Sequence, residues 1–359
     1  MKRRTFLATT AAGLQAAPGP PVKLGIIAEP TGSHLSLYLA AVPKCEGIGE
    51  VALADSTGGS FEKASGVIGN GLRTYRDPAE MLRSFRPDLA LITLESHHMP
   101  PALRLALDAG CHVLSEKHPC VRFSDFEPLA QLSQRNHRHL MLAFATRYSP
   151  IVEKARQLVH SGQLGKLYSV DAYIIGDQAR FTKPEFQRSW RARKSQAGGG
   201  YLMAVGIHYV DIIQHISGQK ITRLCGFSRN VGGQPVEVDD ANVAGLDFDG
   251  GMVGSFQSSC YLEQGYQSHF LLYGSNGWLR FSLNQGEPLQ WYINGSGKQS
   301  FVDQSAYLSN QYLPLVQSAV RIVRGLDPPA IPVEESVHVL KTVFALYDAS
   351  ARGKTVTIV

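Results

Sequence analysis

Apolar and polar positions along the chain follow two different rhythms, and the change between them falls near residue 146. In the first part, short apolar runs recur: "VKLGIIA" (22–28), which is rich in β-branched residues, "EVALADST" (50–57), "DLALITLE" (88–95), "CHVLSEK" (111–117) and "HLMLAFA" (139–145). Runs of this length predict buried strands. Between them, "SHLSLYLAAV", "DPAEMLRSF", "PPALRLALDAG" and "SDFEPLAQLSQRN" have helical spacing. Asp77-Pro78 opens the second of these and Gly110 closes the third. Strands alternating with helices predict parallel pairing in a doubly wound sheet of an α/β domain.

Beyond residue 146 the pattern predicts a helix at 151–161, a strand in "KLYSVDAYIIG", and then the glycine-led apolar stretch "GGGYLMAVGIHYVDIIQHISG" (198–218) as a buried helix. Residues 220–302 read as strands with hairpin signals, Asp-Gly-Gly at 249–251 and Asn276-Gly277. "LPLVQSAVRIVRG" and "EESVHVLKTVFALYDASARG" read as closing helices. The expected layout is an export segment and linker (1–20), a nucleotide-type domain (21–146) and a second α/β domain (147–359) with a mainly antiparallel, open-faced sheet.

Composition changes the picture at the N-terminus only. The net charge is +5, but Lys2, Arg3 and Arg4 supply three of those charges, and no basic stripe interleaved with aromatics follows, which argues against nucleic acid as a partner. "MKRRTFLATTAAGLQAA" has a basic start, a weakly apolar middle and small residues at its end. That is the layout of an export signal, and Arg3-Arg4 before Phe6-Leu7 fits the twin-arginine type. No run of 18 apolar residues exists, so no membrane span is expected. Five scattered cysteines, and His97, His98, His112 and His118, lack ligand spacing, so no metal is expected.

Chemistry is expected at the carboxyl ends of the parallel strands. The first turn, "AEPTGSH", has Ala28 and Pro30 where a G-x-G pair would let a pyrophosphate approach, and only Gly32 remains. Asp55 ends the second run, 30 residues after Gly25, where a carboxylate can accept from a ribose diol and disfavour the extra phosphate of NADP. Lys117 ends the fourth run, where an ammonium can polarise a substrate hydroxyl. In the second domain Ala204, His208, Asp211 and His215 fall four, three and four apart, one row of a helix. His208 is the natural proton acceptor of that row, and Asp211 is placed to hold its ring. In "SWRARK", Trp190 can stack on a sugar ring and Arg191 or Arg193 can bind a polar or anionic group.

An ordered series of motifs resembles the Gfo/Idh/MocA family along nearly all of residues 22–359: "VKLGII", "VALADS", "LALDAGCHVLSEKHP", "ATRYSPIVEKARQLVHSGQLGKLYSV", "GGGYLMAVGIHYVD", "VDDANVAGLDFDGGMVGSF", "YGSNGWLRF" and "ALYDASARGKTV". The resemblance implies a Rossmann domain binding NAD, with NADP left open, followed by an open-faced domain whose sheet forms a homo-oligomer contact. It implies sugars, cyclitols or their derivatives as substrates. By position, Glu116 and Lys117 match the family's E-K-P motif, His208 its catalytic histidine and Arg147 the arginine that opens the crossing segment, here a candidate substrate contact. Ala28, Gly32, Asp55, Glu116 and Lys117 are then the expected cofactor contacts. Three positions depart from the family: the glycine loop, His118 at the motif's proline, and Ala204 at its aspartate. The leading expectation is an exported NAD-dependent oxidoreductase. The alternatives are a glycoside hydrolase working through transient oxidation and a non-catalytic carbohydrate-binding relative.

Overall fold

The computed structural model of the chain describes residues 19–283, 287–302 and 311–359. Residues 1–18 of the predicted export segment lie outside them. The first half contains strands β1 (Val22–Ala28), β2 (Ile48–Ala54), β3 (Leu72–Tyr75), β4 (Leu89–Thr93), β5 (His112–Ser115) and β6 (Leu140–Leu142). Helices α1 (Leu35–Ala41), α2 (Phe61–Ile68), α3 (Pro78–Ser84), α4 (Met99–Asp108) and α5 (Phe123–Arg135) alternate with them. All six strands pair in parallel in the order β3-β2-β1-β4-β5-β6. The chain reverses its direction of travel between β1 and β4, which leaves a crevice at their carboxyl ends.

The apolar pattern predicts five strands where the sheet has six. The omitted unit is α2 and β3, and the reason is local. β3 is a four-residue edge strand with Arg73 and Thr74 exposed, and α2 fully buries Ala64 alone. Neither carries enough buried surface to leave a periodic signal.

The second half contains α6 (Pro150–His160), β7 (Leu167–Asp177), three short helices α7 (Ala179–Thr182), α8 (Pro184–Arg188) and α9 (Lys194–Ala197), and α10 (Ile207–Ser217). Then come β8 (Ile221–Arg229), β9 (Ala241–Phe248), β10 (Val253–Leu262), β11 (Tyr266–Gly274), β12 (Gly277–Phe281), β13 (Leu289–Ile293) and β14 (Gly297–Phe301), followed by α11 (Tyr312–Val323), α12 (Val333–Arg352) and β15 (Val356–Thr357). The nine strands order as β14-β13-β12-β11-β7-β10-β9-β8-β15, and among the described residues only β7 and β10 pair in parallel. Val170, Ala172, Ile174, Leu246, Phe256 and Leu272 are buried on the face that α10 and α12 cover. On the opposite face Phe227 stands beside Val243, and both are exposed, as are Val253 and Tyr273.

The two halves are tied together by more than the crossing segment. α11 returns to the first domain and lays Tyr312 edge-on against Tyr38 of α1, with ring centroids 5.0 Å apart. Gln317 exchanges hydrogen bonds with the Glu46 backbone. Among the described residues no helix is long and apolar enough to cross a membrane.

Candidate active site

Lys117 lies two residues past β5, at the crevice end of the sheet. Its Nζ crosses to the second domain and donates to the Ala204 carbonyl at 2.7 Å. His208 is in the first turn of α10. Lys117, Ala204 and His208 line one cleft of about 780 Å³, together with Ser33, Arg180 and Arg191.

The glycine-led segment explains how α10 is set there. Leu202–Gly206 form a π-helical turn that runs directly into α10. Asp239 caps the entry, accepting from the Gly200 amide at 2.6 Å, the Leu202 amide at 3.0 Å and the Tyr347 hydroxyl at 2.8 Å. A Cβ on Gly200 would lie 2.0 Å from the Asp239 carbonyl oxygen, so only glycine permits this approach. Asp239 is a positioning residue that sequence reasoning missed. Its signal, the acidic pair in "VDDANV", is visible only once β9 is known to lie beside the helix entry.

Burial is the largest influence on the ionisation of Lys117, His208 and His118 in the cleft. Burial lowers the Lys117 ammonium to about 8, with Glu116 opposing and Arg180 and Arg191 adding to the shift. Burial, then the Lys117 and His34 charges, hold the His208 imidazole well below the usual histidine value. His208 Nδ1 is sealed from solvent and has no hydrogen-bond partner. His118 is likewise buried, with both nitrogens unpartnered, and its pKa falls to about 3 through burial and the neighbouring Lys117 and Arg191.

On the nucleotide side, Ala28 is buried at the end of β1, and Gly32 packs so closely on β4 that a Cβ would lie 2.3 Å from the Thr93 oxygen. Glu116 is buried and accepts from Tyr38, with His34 Nδ1 at 3.0 Å from its other oxygen. Arg191 reaches across from the second domain to Ser33 Oγ at 2.9 Å and the Thr31 carbonyl at 3.3 Å. The Trp190 ring is buried beneath it, with the Arg191 guanidinium 4.6 Å from the ring centre. The pair thus contacts the nucleotide turn, and Arg191, expected as a substrate contact, also lines the cleft that holds Lys117 and His208. Asp55 follows β2 as expected, but its carboxylate is buried in its own loop. It accepts from the Thr57 amide and hydroxyl and the Ser60 amide, each at 2.8 Å. Burial opposes that charge, yet the Ser60 and Thr57 hydrogen bonds outweigh it and hold the carboxyl below the usual range. Its observed work is to shape the turn after β2.

These residues fit a dinucleotide in the crevice. The turn approaches β4 through Gly32, Arg191 offers a cation at a turn that Pro30 has deprived of one amide donor, and His208 lines the cleft beside Lys117.

Two other expected substrate contacts are placed elsewhere. Arg147 and Asp211 are both buried, and they bind each other: Nε donates to both carboxylate oxygens at 3.0 and 3.1 Å, and Nη2 to one at 2.6 Å. Arg147 Nη1 also reaches Glu335 at 2.5 Å and the Ala330 carbonyl at 3.1 Å. Burial disfavours the Arg147 cation, but Asp211 and Glu335 beside it raise its pKa. Asp211 therefore does not hold the His208 ring. The row read from spacing is split, with Ala204 and His208 facing the cleft and Asp211 facing the joint between domains.

The chain matches the family model described as the oxidoreductase family, NAD-binding Rossmann fold, over residues 22–144, and that of the GFO/IDH/MocA C-terminal domain over residues 152–280. It is 22% identical over 331 residues to D-glucoside 3-dehydrogenase of Escherichia coli, covering 86% of this chain and 90% of that protein. It is 25% identical over 231 residues to levoglucosan dehydrogenase of Pseudarthrobacter phenanthrenivorans, covering 57% and 58% of the two chains. Among solved structures it superposes on an oxidoreductase domain protein from Kribbella flavida with TM-score 0.84 at 21% identity, covering 95% of this chain and 100% of that one. It superposes equally on levoglucosan dehydrogenase in complex with NADH and levoglucosan, at 18% identity and TM-score 0.84, covering 94% and 99%. With both family models matched in order over more than two thirds of its length, the chain belongs to the Gfo/Idh/MocA family of oxidoreductases and carries that family's NAD-binding Rossmann domain.

Proposed function

We propose that the chain oxidises a secondary alcohol of a sugar, cyclitol or derivative. The observation that carries this reading is the meeting of a cation from the Rossmann sheet and an imidazole from the second domain in one cleft. The names of the relatives, a D-glucoside 3-dehydrogenase and a levoglucosan dehydrogenase, support a sugar as the substrate.

NAD in the crevice supplies an acceptor for hydride. The chain's own residues handle the proton. Lys117, charged below about pH 8, donates a hydrogen bond to the substrate hydroxyl and stabilises negative charge as it develops on that oxygen. His208 is neutral at pH 7 and offers a lone pair. Its proton affinity is low in the free cleft because it is buried and because Lys117 stands beside it. The developing oxyanion offsets that charge and raises the affinity of the ring as the proton leaves the hydroxyl. Ala204 contributes no carboxylate, but its carbonyl fixes the Lys117 Nζ. Arg191 and Trp190 close the second domain over the nucleotide turn.

A pH dependence follows. With Lys117 acting as a cation, initial-rate kcat/KM falls as pH rises through about 8, and the acid limb lies below the usual histidine range because His208 stays neutral there. A rate that instead climbs through pH 8 assigns Lys117 as the base and reverses the two roles.

The N-terminal basic and apolar pattern supports export by the twin-arginine route, and the uncovered sheet face bearing Phe227, Val243, Val253 and Tyr273 supports assembly of identical copies. Cell fractionation of the Arg3→Lys/Arg4→Lys variant and sedimentation of Val243→Glu test them. Retention of the signal variant in the cytoplasm and dissociation of the sheet variant are expected. Unchanged behaviour removes the respective proposal.

A further inference from the structure

The loop between β4 and α4 holds a cluster to which the proposed dehydrogenation assigns no role. Spacing along the chain gives no ligand pattern there, but the turn makes one. Glu95, His97 and His98 each offer a donor atom, and these atoms lie within 4.8 Å of one another. The two rings are folded together, with centroids 3.9 Å apart.

The surroundings of each ring match what a metal-bound histidine needs. His97 Nδ1 is sealed from solvent without a hydrogen-bond partner, and Glu95 Oε2 stands 3.8 Å from it. The backbone of Gln196 in the second domain lies against the same ring and favours an N–H there, and with Nδ1 sealed and unpartnered the lone pair falls on Nδ1. The His98 ring is held by Glu29, whose Oε2 is 3.1 Å from Nδ1, leaving Nε2 to donate. A backbone group on one ring and a carboxylate on the other are the outer partners that fix the tautomer and orientation of ligating histidines.

We propose that Glu95, His97 and His98 form a binding site for a divalent transition-metal ion of the zinc class, with Gln196 and Glu29 as the outer partners that orient the two imidazoles. Two nitrogens and one carboxylate favour zinc-like ions over magnesium or calcium, which take oxygen ligands. Three protein ligands leave a further position open, and His98 is exposed, so an ion can enter from solvent. Glu95 also accepts from Thr31 Oγ1 at 2.7 Å. An ion here therefore ties together the nucleotide turn, the exit of β4 and the Gln196 segment of the second domain. It acts as a clamp across the mouth of the crevice.

The test uses the untagged full chain, stripped with chelator and titrated with Co²⁺ and Zn²⁺, with neither NAD nor sugar present. Its outcome is therefore independent of the redox reading. Calorimetry is expected to give one equivalent bound, and the cobalt complex is expected to show visible d–d absorption of a nitrogen-containing low-coordinate site. Glu29→Gln is expected to weaken binding by roughly 10–100-fold, and His97→Ala and His98→Ala by more. Glu95→Gln, nearly isosteric, carries the comparison if an alanine variant does not fold. The absence of saturable uptake, or uptake unchanged in the His97→Ala/His98→Ala double variant, overturns the proposal.

Discussion

His208→Ala lowers kcat/KM for sugar oxidation by about 10²–10⁴-fold, the range of a lost general base, and Lys117→Met lowers it by about 10²–10³-fold, the range of a lost oxyanion donor. Neither effect passes through the fold. The His208 Nδ1 makes no hydrogen bond, so truncation leaves no polar partner stranded. Methionine keeps most of the Lys117 stem and removes a charge that burial disfavours, so the unfolding midpoint is expected to hold or rise. Lys117→Met does release the Ala204 carbonyl, a smaller cost than a buried charge. Steady-state kinetics together with thermal unfolding checks both variants. Turnover within tenfold of wild type in either, with the fold intact, contradicts the assigned roles.

Arg147→Met destabilises the protein by about 3–5 kcal/mol, the cost of stranding a buried charge. Asp211 has no exposed surface and receives all its observed hydrogen bonds from Arg147. The pair stands where the segment leaving β6 meets α10 and the start of α12, so the loss also loosens the seat of the helix that presents His208. The double variant Arg147→Met/Asp211→Leu removes both charges and is expected to recover most of the stability. Denaturant unfolding of the single and double variants measures this directly. Equal destabilisation by the single and double changes rules out a stranded charge as the cause. Substrate KM distinguishes this joint from a binding site, because a direct substrate contact at Arg147 would leave KM impaired in the stable double variant.

Much of the fold was legible because most of its elements are buried on one face. β1, β4 and the helices α3, α4, α5, α6 and α12 lie within a residue or two of the predicted spans, since apolar runs and caps such as Asp77 and Gly353 encode them locally. The edge unit α2 and β3 was illegible because it buries little. Of the site, Lys117 and His208 were visible as titratable residues at a strand end and on an apolar helix. Their partners were not. Spacing placed Asp211 in a row with His208, but only tertiary packing decides that the carboxylate meets Arg147. The π-helical turn at Leu202–Gly206 and the capping of that turn by Asp239 depend on a strand far along the chain. The Trp190-Arg191 pair was readable as a binding element, while its direction toward the nucleotide turn depends on how the domains close.

Incubating the NAD-loaded protein with sugars and glucosides deuterated at their ring carbons, and analysing the nicotinamide by mass spectrometry, tests the central claim most directly. The account predicts deuterium on the nicotinamide ring in the wild-type protein and its loss in His208→Ala. A nicotinamide that stays unlabelled across the panel, while remaining bound in the crevice, contradicts it.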